Sequence, residues 1–542
     1  MNTPGGRCLP VSSPPTRAEP ARLRRIGLGC ILGCLLLHSL GIFWALPSPY
    51  DASPDALPVL RTLYTVDSYL TGRAAADKYP QAHHLLVGTV QKLCSCVLLS
   101  SDEREGVDRL VDRFADRQRS GEASSFARDL LSEGHDLAGP LSRLVIVGRA
   151  VTIALMAVLL IALHSIVARC ISPRVAPWSV LAVGLEPGFV HYAATVNVDV
   201  PYVAWFVLAL HATLSAARGR RGSAALAGAF SGLSVATKDQ AAGLLPGLLF
   251  LFLLRCRGRK SIGRGRALVA AAGGFIVVYA LTSGALDVSA YREHLRFVFG
   301  EGLDPYRSGG LLTRLVDIPR MFWVAAGPVA SLLVLMGLPS WLRLRRAAGL
   351  LLPPLLYLFV FVLPAGYVYP RFTLPLALVA AFSGGAFLSA ILRRVRRRAP
   401  RWVAVLVIAA YVLAPLPQAL EVVRLKWTDP RSKVAAELES QRGAEEKVAL
   451  LLLPFLAAPA PLPRPPFHVL SGLEELLRRS EEFEWLIYAQ HFPPGAPLRH
   501  PFAVGDVQNG FRVVRVFEPD RSSSFARHVE IQPLLVLLRR AE

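Results

Sequence analysis

The chain has 542 residues, of which 53% are hydrophobic and 18% are charged, and its mean hydropathy is +0.41. Soluble proteins of this length carry fewer apolar residues, and here the excess falls in blocks long enough to cross a bilayer. Composition therefore excludes a soluble globular protein. The blocks lack the short alternating pattern of barrel strands, so we expect α-helical spans that satisfy their backbone hydrogen bonds internally.

The net charge of +21 is concentrated in short arginine-rich connections between the apolar blocks. On a soluble protein such a charge would suggest a nucleic-acid partner, whereas basic loops beside membrane spans orient the protein toward the cytoplasm. We therefore expect no nucleic acid. The seven cysteines form no disulfide framework and no double CxxC spacing, so no zinc site is predicted.

The N-terminal quarter of the chain is predicted to contain one span and one long loop. Residues 1–25 predict a disordered cytoplasmic N-terminus, followed by a first transmembrane helix at Ile26–Leu46, with a cleaved signal peptide as the alternative. Residues 47–143 are mostly polar and form the predicted first external loop. Its apolar stretch Ala82–Ser100 is interrupted by Gln91 and Lys92, which favours an interfacial helix over a full span.

The chain then alternates between apolar blocks and short loops. Further spans are predicted at Leu144–Ala168, Ala176–Asn197, Val200–Ala217, Ser223–Thr237, Gln240–Leu254, Ala267–Gly284, Pro319–Leu342, Gly349–Ala365, Phe372–Leu392 and Trp402–Leu420. In this count of about eleven helices that starts inside, six basic clusters all fall on the cytoplasmic side: Arg22–Arg25, Arg169–Arg174, Arg218–Arg221, Arg255–Arg266, Arg343–Arg346 and Arg393–Arg401.

The tail, residues 421–542, has the pattern of a small external domain. Helices are predicted at Trp427–Arg442 and Gly472–Arg479, and strands at Lys447–Leu453, Phe483–Tyr488 and Gly510–Phe517. The predicted fold class is therefore a polytopic α-helical membrane protein, with a membrane domain over residues 26–420 and a small external α/β domain at the C-terminus.

Ionisable residues at helix ends on one membrane face are costly to desolvate, which makes them functional candidates. The candidates of this kind are Asp55, Asp67, Asp199, Lys238, Asp239 and Arg371 on the external face, and Glu186 inside the third span. Cations can hold a phosphate or pyrophosphate, and a carboxylate can act as a general base toward an acceptor. Structural alternatives remain open: the acids suit helix caps, and the cations suit interfacial anchors.

Five segments resemble the GT-C superfamily of membrane glycosyltransferases, which includes protein O-mannosyltransferases and lipid A aminoarabinose transferases. They are Ser53-Pro54-Asp55, Lys78-Tyr79-Pro80 with His83, LEPGFVHYAATVNVDVPYVAWFVLAL, LAGAFSGLSVATKDQAAGLLP, and Tyr369-Pro370-Arg371-Phe372-Thr373-Leu374-Pro375. The similarity spans roughly residues 26–420. The order of the motifs and their placement at helix ends carry the resemblance.

The resemblance implies inverting transfer of a sugar from a polyprenyl phosphate on the non-cytoplasmic face. It implies that Asp55 is the catalytic base, that Lys238 and Arg371 hold the donor phosphate, and that Asp199 is a second acid of the pocket. It also implies that Tyr79 and His83 contribute to substrate binding. Family members differ in their need for a divalent metal, and this sequence has no dense acid cluster that demands one; no metal ligands are assigned.

Position 56 is alanine where the family usually has glutamate, which leaves a non-catalytic assembly subunit open as an alternative. A transporter or lipid flippase is the other alternative, although no internal repeat is evident.

The expected partners are a polyprenyl-phosphate-linked sugar, the bilayer and an acceptor of undetermined class. The arginine and alanine content favours a bacterial inner membrane, with the N-terminus cytoplasmic and the C-terminus external.

Overall fold

The computed structural model describes most of the chain. The described residues are 18–48, 57–71, 80–120, 136–220, 222–256, 261–299, 310–342, 348–365, 368–398, 400–453, 466–470, 472–490, 503–521, 525 and 532–541. Two of the predicted site residues, Asp55 and Tyr79, lie outside them. The motifs Ser53-Pro54-Asp55 and Lys78-Tyr79 therefore have no structural description.

Helices dominate the chain. They are α1 (Ala18–Ser39), α2 (Val59–Leu70), α3 (Ala82–Leu98), α4 (Ser101–Ser120), α5 (Ala138–Cys170), α6 (Ala176–Gly184), α7 (Pro187–Ala193), α8 (Asp199–Ala217), α9 (Ser223–Thr237), α10 (Leu245–Arg255), α11 (Ser261–Thr282), α12 (Val288–Phe299), α13 (Leu311–Leu342), α14 (Leu352–Tyr357), α15 (Ala377–Arg398), α16 (Arg401–Leu413), α17 (Leu416–Trp427), α18 (Pro430–Gln441) and α19 (Leu473–Arg479). Shorter 3-10 helices lie at Asp239–Leu244, Ala348–Leu351, Pro370–Leu376 and Ser480–Glu482, and a π-helical turn at Leu358–Val362.

Six helical segments among the described residues are long and apolar enough to cross a membrane: Ala138–Cys170, Asp199–Ala217, Gly263–Thr282, Leu311–Pro339, Pro370–Val395 and Trp402–Gln441. Two shorter apolar helices lie at Ser223–Thr237 and Gly349–Val362. A polytopic, mostly helical membrane protein is thereby confirmed. The predicted number of about eleven spans remains a prediction.

Several predicted spans are interrupted in the structure. The predicted span Ala176–Asn197 consists of α6 and α7, which are separated at Leu185 and Glu186. Helix α13 is kinked at Gly327, whose φ of 81° only glycine adopts readily. A side chain there would also meet Gln418, because an added Cβ would lie 2.1 Å from its Oε1. The positive φ thus favours glycine at the kink, while the Gln418 side chain could move aside.

Small residues allow the membrane helices to approach closely. A Cβ added at Gly228 on α9 would lie 1.8 Å from the backbone oxygen of Ala271 on α11. The reverse contact involves Gly274 on α11, where an added Cβ would lie 2.3 Å from the oxygen of Ala225. In a bilayer, where no hydrophobic force separates helices from lipid, such backbone contact is a main source of association.

The first loop forms a helical layer with its own core. Helices α2, α3 and α4 pack with α5 through buried side chains that include Leu60, Val87, Leu110 and Leu144. The predicted interfacial helix at Ala82–Ser100 is α3, and the predicted surface helix after residue 101 is α4. The buried Gln91 explains the polar interruption, because its amide bonds Thr62 and the backbone oxygen of Leu144.

The C-terminal residues form one six-stranded sheet with the order β2-β1-β3-β6-β5-β4. The strands are β1 (Val448–Leu453), β2 (Phe467–Val469), β3 (Trp485–Gln490), β4 (Val507–Gln508), β5 (Phe511–Phe517) and β6 (Leu534–Arg540). Strands β1, β2 and β3 are parallel, and β6, β5 and β4 continue antiparallel. Both sheet faces are covered: α18 lies in the core on one face and α19 in the core on the other.

A buried group of charged and aromatic residues joins this C-terminal part to the membrane helices. We call it the Trp44 cluster, and its members are Trp44, Arg149, His191, Lys426, Asp429 and Arg431. The indole Nε1 of Trp44 donates to Asp429 Oδ2 at 2.6 Å, and the Lys426 ammonium lies 4.8 Å from the centre of the Trp44 ring. Cation–π and charge-assisted bonds of this kind gain strength when water is excluded.

Candidate functional site

The centre of the candidate site is an ion pair between Lys238 and Asp199. The Lys238 ammonium donates to Asp199 Oδ1, and both side chains are only 2% exposed. A buried charge without a partner is costly, so each group stabilises the other at this depth. The sequence predicted both residues for the pocket, and the structure brings them together although 39 positions separate them.

Each partner lies where a membrane helix ends. Asp199 is the first residue of α8, and its backbone N–H is held by the side chain of Asn197 at 2.9 Å. Lys238 follows the last residue of α9 in an extended conformation, with φ −157° and ψ 120°, before the 3-10 helix Asp239–Leu244. Because α8 and α9 are packed antiparallel neighbours, the start of one lies beside the end of the other. The local helix break thus presents the lysine to the aspartate.

Arg371 joins this site through an aromatic ring. The Lys238 ammonium lies 5.6 Å from the centre of the Phe372 ring, and the Arg371 guanidinium lies 5.9 Å from the same centre. Two further rings complete the surroundings, with Tyr202 5.5 Å from Lys238 and Tyr369 5.0 Å from Arg371. The two predicted phosphate ligands therefore share one aromatic neighbour, as residues of one pocket would.

His83 is placed differently. It is fully buried near the start of α3, and burial lowers the pKa of its imidazole to about 3, with the neighbouring His84 contributing less. Within the described residues, no hydrogen bond, ion pair or ring contact joins it to Asp199, Lys238 or Arg371. A neutral imidazole suits hydrogen bonding rather than charge pairing, and its role in substrate binding stays a prediction.

The backbone connects the site to the edge of the segment that contains Asp55. Leu57, two residues after Asp55, donates its N–H to the backbone oxygen of Val196 at 2.6 Å. Val196 lies in the turn that ends at Asp199. The described chain thus enters from the Asp55 segment directly beside the turn that carries the buried carboxylate.

A histidine–aspartate pair lies next to Lys238, and sequence reasoning missed its histidine. Nε2 of His294, on α12, lies 3.1 Å from Asp239 Oδ2, and the His294 ring stacks on Tyr291. The Tyr291 hydroxyl in turn lies 2.7 Å from that of Tyr279 on α11. Asp239 was a candidate by position, but His294 is 55 residues away on an amphipathic helix, and no local pattern distinguishes it.

Two further observations complete the inventory. Glu186 is buried at the break between α6 and α7, and neither carboxylate oxygen has a hydrogen-bond partner in the part of the chain that the structure describes. No group of three or more His, Cys, Asp or Glu side chains among the described residues could hold a metal ion.

Comparison with known proteins identifies one segment. The family model described as dolichyl-phosphate-mannose-protein mannosyltransferase matches residues 141–282, from α5 to the end of α11. No curated protein matches the chain.

Solved structures give a more distant similarity. ArnT from Cupriavidus metallidurans bound to undecaprenyl phosphate is 11% identical, with a TM-score of 0.47 over 96% of this chain and 98% of that chain. The same protein in the apo state is 12% identical, with a TM-score of 0.49 over 87% and 93%.

The archaeal oligosaccharyltransferase AglB from Archaeoglobus fulgidus, in complex with an inhibitory peptide and a dolichol-phosphate, is 11% identical, with a TM-score of 0.45 over 85% and 69%. Over residues 141–282, which contain both members of the buried ion pair, the chain has the sequence pattern of the dolichyl-phosphate-mannose-protein mannosyltransferases, which confirms the predicted resemblance to GT-C membrane glycosyltransferases for this segment.

Proposed function

We propose that this protein is a membrane glycosyltransferase that moves a sugar, with inversion, from a polyprenyl-phosphate donor to an acceptor on the non-cytoplasmic face. The observation that carries the proposal is the buried Lys238–Asp199 pair, which lies inside the segment that matches a mannosyltransferase family model. Arg371, from outside that segment, lies near the same Phe372 ring as Lys238. This arrangement concentrates two cations and one carboxylate at the ends of membrane helices.

The two cations would bind the donor phosphate. The Lys238 ammonium and the Arg371 guanidinium lie 5.6 and 5.9 Å from the centre of the same Phe372 ring, so two positive groups lie near one point of the site. A sugar phosphodiester could bind there as an anion. When the sugar leaves, the lipid phosphate gains negative charge, and fixed cations in a site shielded from water stabilise it more strongly than water could. Arg371 would supply a planar fork and Lys238 a point charge.

Asp55 would be the general base toward the acceptor. It precedes Leu57 by two residues in the sequence. Leu57 is hydrogen-bonded to Val196, three residues before Asp199. A carboxylate so tethered can reach an acceptor hydroxyl or amine bound over Lys238 and take its proton as the new glycosidic bond forms. Tyr79 and His83 would contact the sugar or its phosphate.

The reaction would take place opposite the arginine-rich connections. Those connections are expected to face the cytoplasm, so the helix ends with Asp199 and Lys238 would face the other compartment. The donor's isoprenoid tail would stay in the bilayer while its sugar phosphate reaches the membrane surface. No nucleotide-binding motif is needed for such a lipid-linked donor.

The test is the Asp55→Asn variant. We expect it to insert into the membrane at wild-type abundance and to lose transfer, seen by mass spectrometry of surface glycans in a deletion strain that carries the variant. The matched control is Asp67→Asn, which removes a half-exposed acid from α2 and breaks a surface ion pair with Lys92. Full glycan restoration by Asp55→Asn would contradict the assignment of the base.

The same experiment tests the wider proposal. Restoration of the glycan by the wild-type gene, together with sugar transfer by purified protein, is the expected result. Restoration in cells without transfer by purified protein would favour a non-catalytic subunit, and uptake or flipping of lipid without glycan change would favour a transporter.

A further inference from the structure

An apolar cavity of about 280 Å³ lies between helices α8, α9, α10 and α11. Its walls include Ala216 on α8, Ala224 and Ala227 on α9, Phe252 on α10 and Ala272 on α11. It is open toward the bilayer, since no residue of Gly263–Thr282 on α11 is buried and Leu249 of α10 is 48% exposed. A chain of methylene groups could therefore enter from the side.

Three arginines lie at the helix ends next to one end of the cavity. Arg169 at the end of α5 lies close enough to Arg218 and Arg220 after α8 to be repelled by both. In the part of the chain that the structure describes, none of these three arginines has an Asp or Glu partner at salt-bridge distance. The sequence explains why, because no Asp or Glu occurs at residues 137–185, 200–238 or 240–286.

The cavity is aligned with this arginine end rather than with Lys238. On α9 its lining extends from Ala224 to Ser231. Ala224 is four residues from Arg220, whereas even Ser231 is seven residues, or about 10 Å along the helix, from Lys238. A headgroup beside the arginines would thus place its chain in the cavity, while a lipid whose phosphate sat at Lys238 would enter from the opposite end.

We propose that this cavity and the arginines Arg169, Arg218 and Arg220 form a binding site for an anionic phospholipid, with one acyl chain between α8, α9, α10 and α11. The arginines would hold the headgroup phosphate through charge-assisted hydrogen bonds. The site does not depend on the proposed transferase activity and lies at the opposite ends of the helices that carry Asp199 and Lys238.

Physical chemistry favours this occupant over the alternatives. A topology signal alone explains the arginines but not an apolar cavity beside them. Basic clusters next to membrane helices attract anionic lipids, with a gain near the surface that corresponds to roughly fivefold in affinity per basic residue. Because no carboxylate competes within these helices, the headgroup would be the nearest counter-charge.

The experiment compares lipid retention by the purified full-length protein. Native mass spectrometry would count bound dioleoylphosphatidylglycerol and dioleoylphosphatidylcholine after exchange from mixed micelles, and thermal unfolding would report their stabilising effects. We expect the wild-type protein to prefer the anionic phosphatidylglycerol. The variant Arg218→Ala/Arg220→Ala is expected to lose roughly 20-fold or more of that preference, from about fivefold per arginine.

The matched control is Arg393→Ala/Arg394→Ala, which removes the same charge from exposed positions at the end of α15, and which should retain the preference. Ala227→Leu fills the cavity with the arginines intact and should reduce retention of the lipid severalfold. Ala272→Leu, at the exposed wall, is the second test of the cavity if Ala227→Leu does not fold.

Three results would overturn the proposal. One is an equal loss of preference in both arginine variants, which would reflect only net charge. Another is unchanged retention when either cavity variant is folded. The third is displacement of phosphatidylglycerol by undecaprenyl phosphate in the wild-type protein but not in Lys238→Met, because the cavity would then belong to the donor.

Discussion

The Lys238–Asp199 pair contributes both to the stability of the fold and to the proposed binding of the donor. Both side chains are almost fully buried, so removal of one partner leaves an uncompensated charge in a poorly solvated place. Removal of one partner lowers the free energy of unfolding by far more than the intact pair contributes, because no water can solvate the remaining charge. Stability and donor binding can therefore be separated by removing both charges at once.

We predict that Lys238→Met destabilises the protein by roughly 3–5 kcal/mol, and that Lys238→Met with Asp199→Asn regains most of that loss. Neither variant should bind undecaprenyl phosphate at the wild-type level, because a phosphate-binding cation is gone. Thermal unfolding in detergent and lipid binding are the measurements. Lys92→Met, which breaks the exposed pair with Asp67, is the control and should cost under about 1 kcal/mol. Wild-type lipid affinity in the double variant would contradict the role of Lys238.

The sequence allowed three of these site residues to be predicted for a common reason. Asp199, Lys238 and Arg371 are each isolated charges at the ends of apolar segments, where ionisation is costly. His294 could not be predicted, because its position on the amphipathic α12 resembles that of a surface histidine, and only the tertiary structure brings it to Asp239. The residues Asp55 and Tyr79 still rest on motif resemblance alone.

At the scale of single elements, hydrogen bonds to the Glu446 side chain stabilise the start of β1. The carboxylate of Glu446 accepts a hydrogen bond from Trp485 Nε1 at 2.7 Å and another from the backbone of Gly443 at 2.8 Å. The bond from Trp485 is the main reason that the pKa of Glu446 is lowered from its ordinary value of 4.5. The contribution of this carboxylate to stability is therefore present above pH 4.5 and is lost as the pH falls through the lowered value.

We predict that Glu446→Gln lowers the free energy of unfolding of the C-terminal sheet by about 1 kcal/mol at pH 7. The difference from the wild-type protein should begin to shrink below pH 4.5 and disappear below the lowered pKa of Glu446, because the folded wild-type carboxyl is protonated there as well. Denaturant unfolding across this pH range measures it, and Glu445→Gln on the exposed neighbour is the control. A difference that persists unchanged at low pH would rule out the charge as the cause.

Of the six strands that the structure describes, β1, β3 and β5 were predicted from the sequence. The predicted strands Lys447–Leu453 and Gly510–Phe517 correspond to β1 and β5 within one or two residues. Strand β6 was missed, because Leu534–Leu538 is continuously apolar and buried on both faces, a pattern that does not differ from that of a buried helix. The break at Glu186 was missed for a similar reason, since α6 and α7 together have the length and composition of one span.

For the molecule as a whole, the distribution of charge predicts which parts share a compartment. The arginine-rich connections should face the cytoplasm, and the C-terminal sheet should face the same side as Asp199 and Lys238. Positions for a test are available, because Leu473 on α19 is 51% exposed and Arg394 on α15 is also exposed.

We predict that Leu473→Cys reacts with a membrane-impermeant maleimide in right-side-out vesicles, and that Arg394→Cys reacts only after permeabilisation. The background should carry serine at Cys94 and Cys96, which have accessible thiols on α3. Labelling is read by mass shift on a gel. The reverse pattern would place the candidate site in the cytoplasm and would exclude a lipid-linked donor presented from outside.

The Trp44 cluster determines what can be exchanged between relatives. Trp44 lies in the turn after α1 and Arg149 lies on α5, whereas Lys426, Asp429 and Arg431 come from the junction of α17 and α18. In a hybrid that carries a foreign tail after residue 420, Arg149 and the Trp44 indole would face side chains that do not match them. Lysine or arginine residues of the foreign tail would bring unpaired charge into an interface that excludes water. Natural recombination at this border should therefore give a stable protein only when the membrane helices and the tail are inherited together.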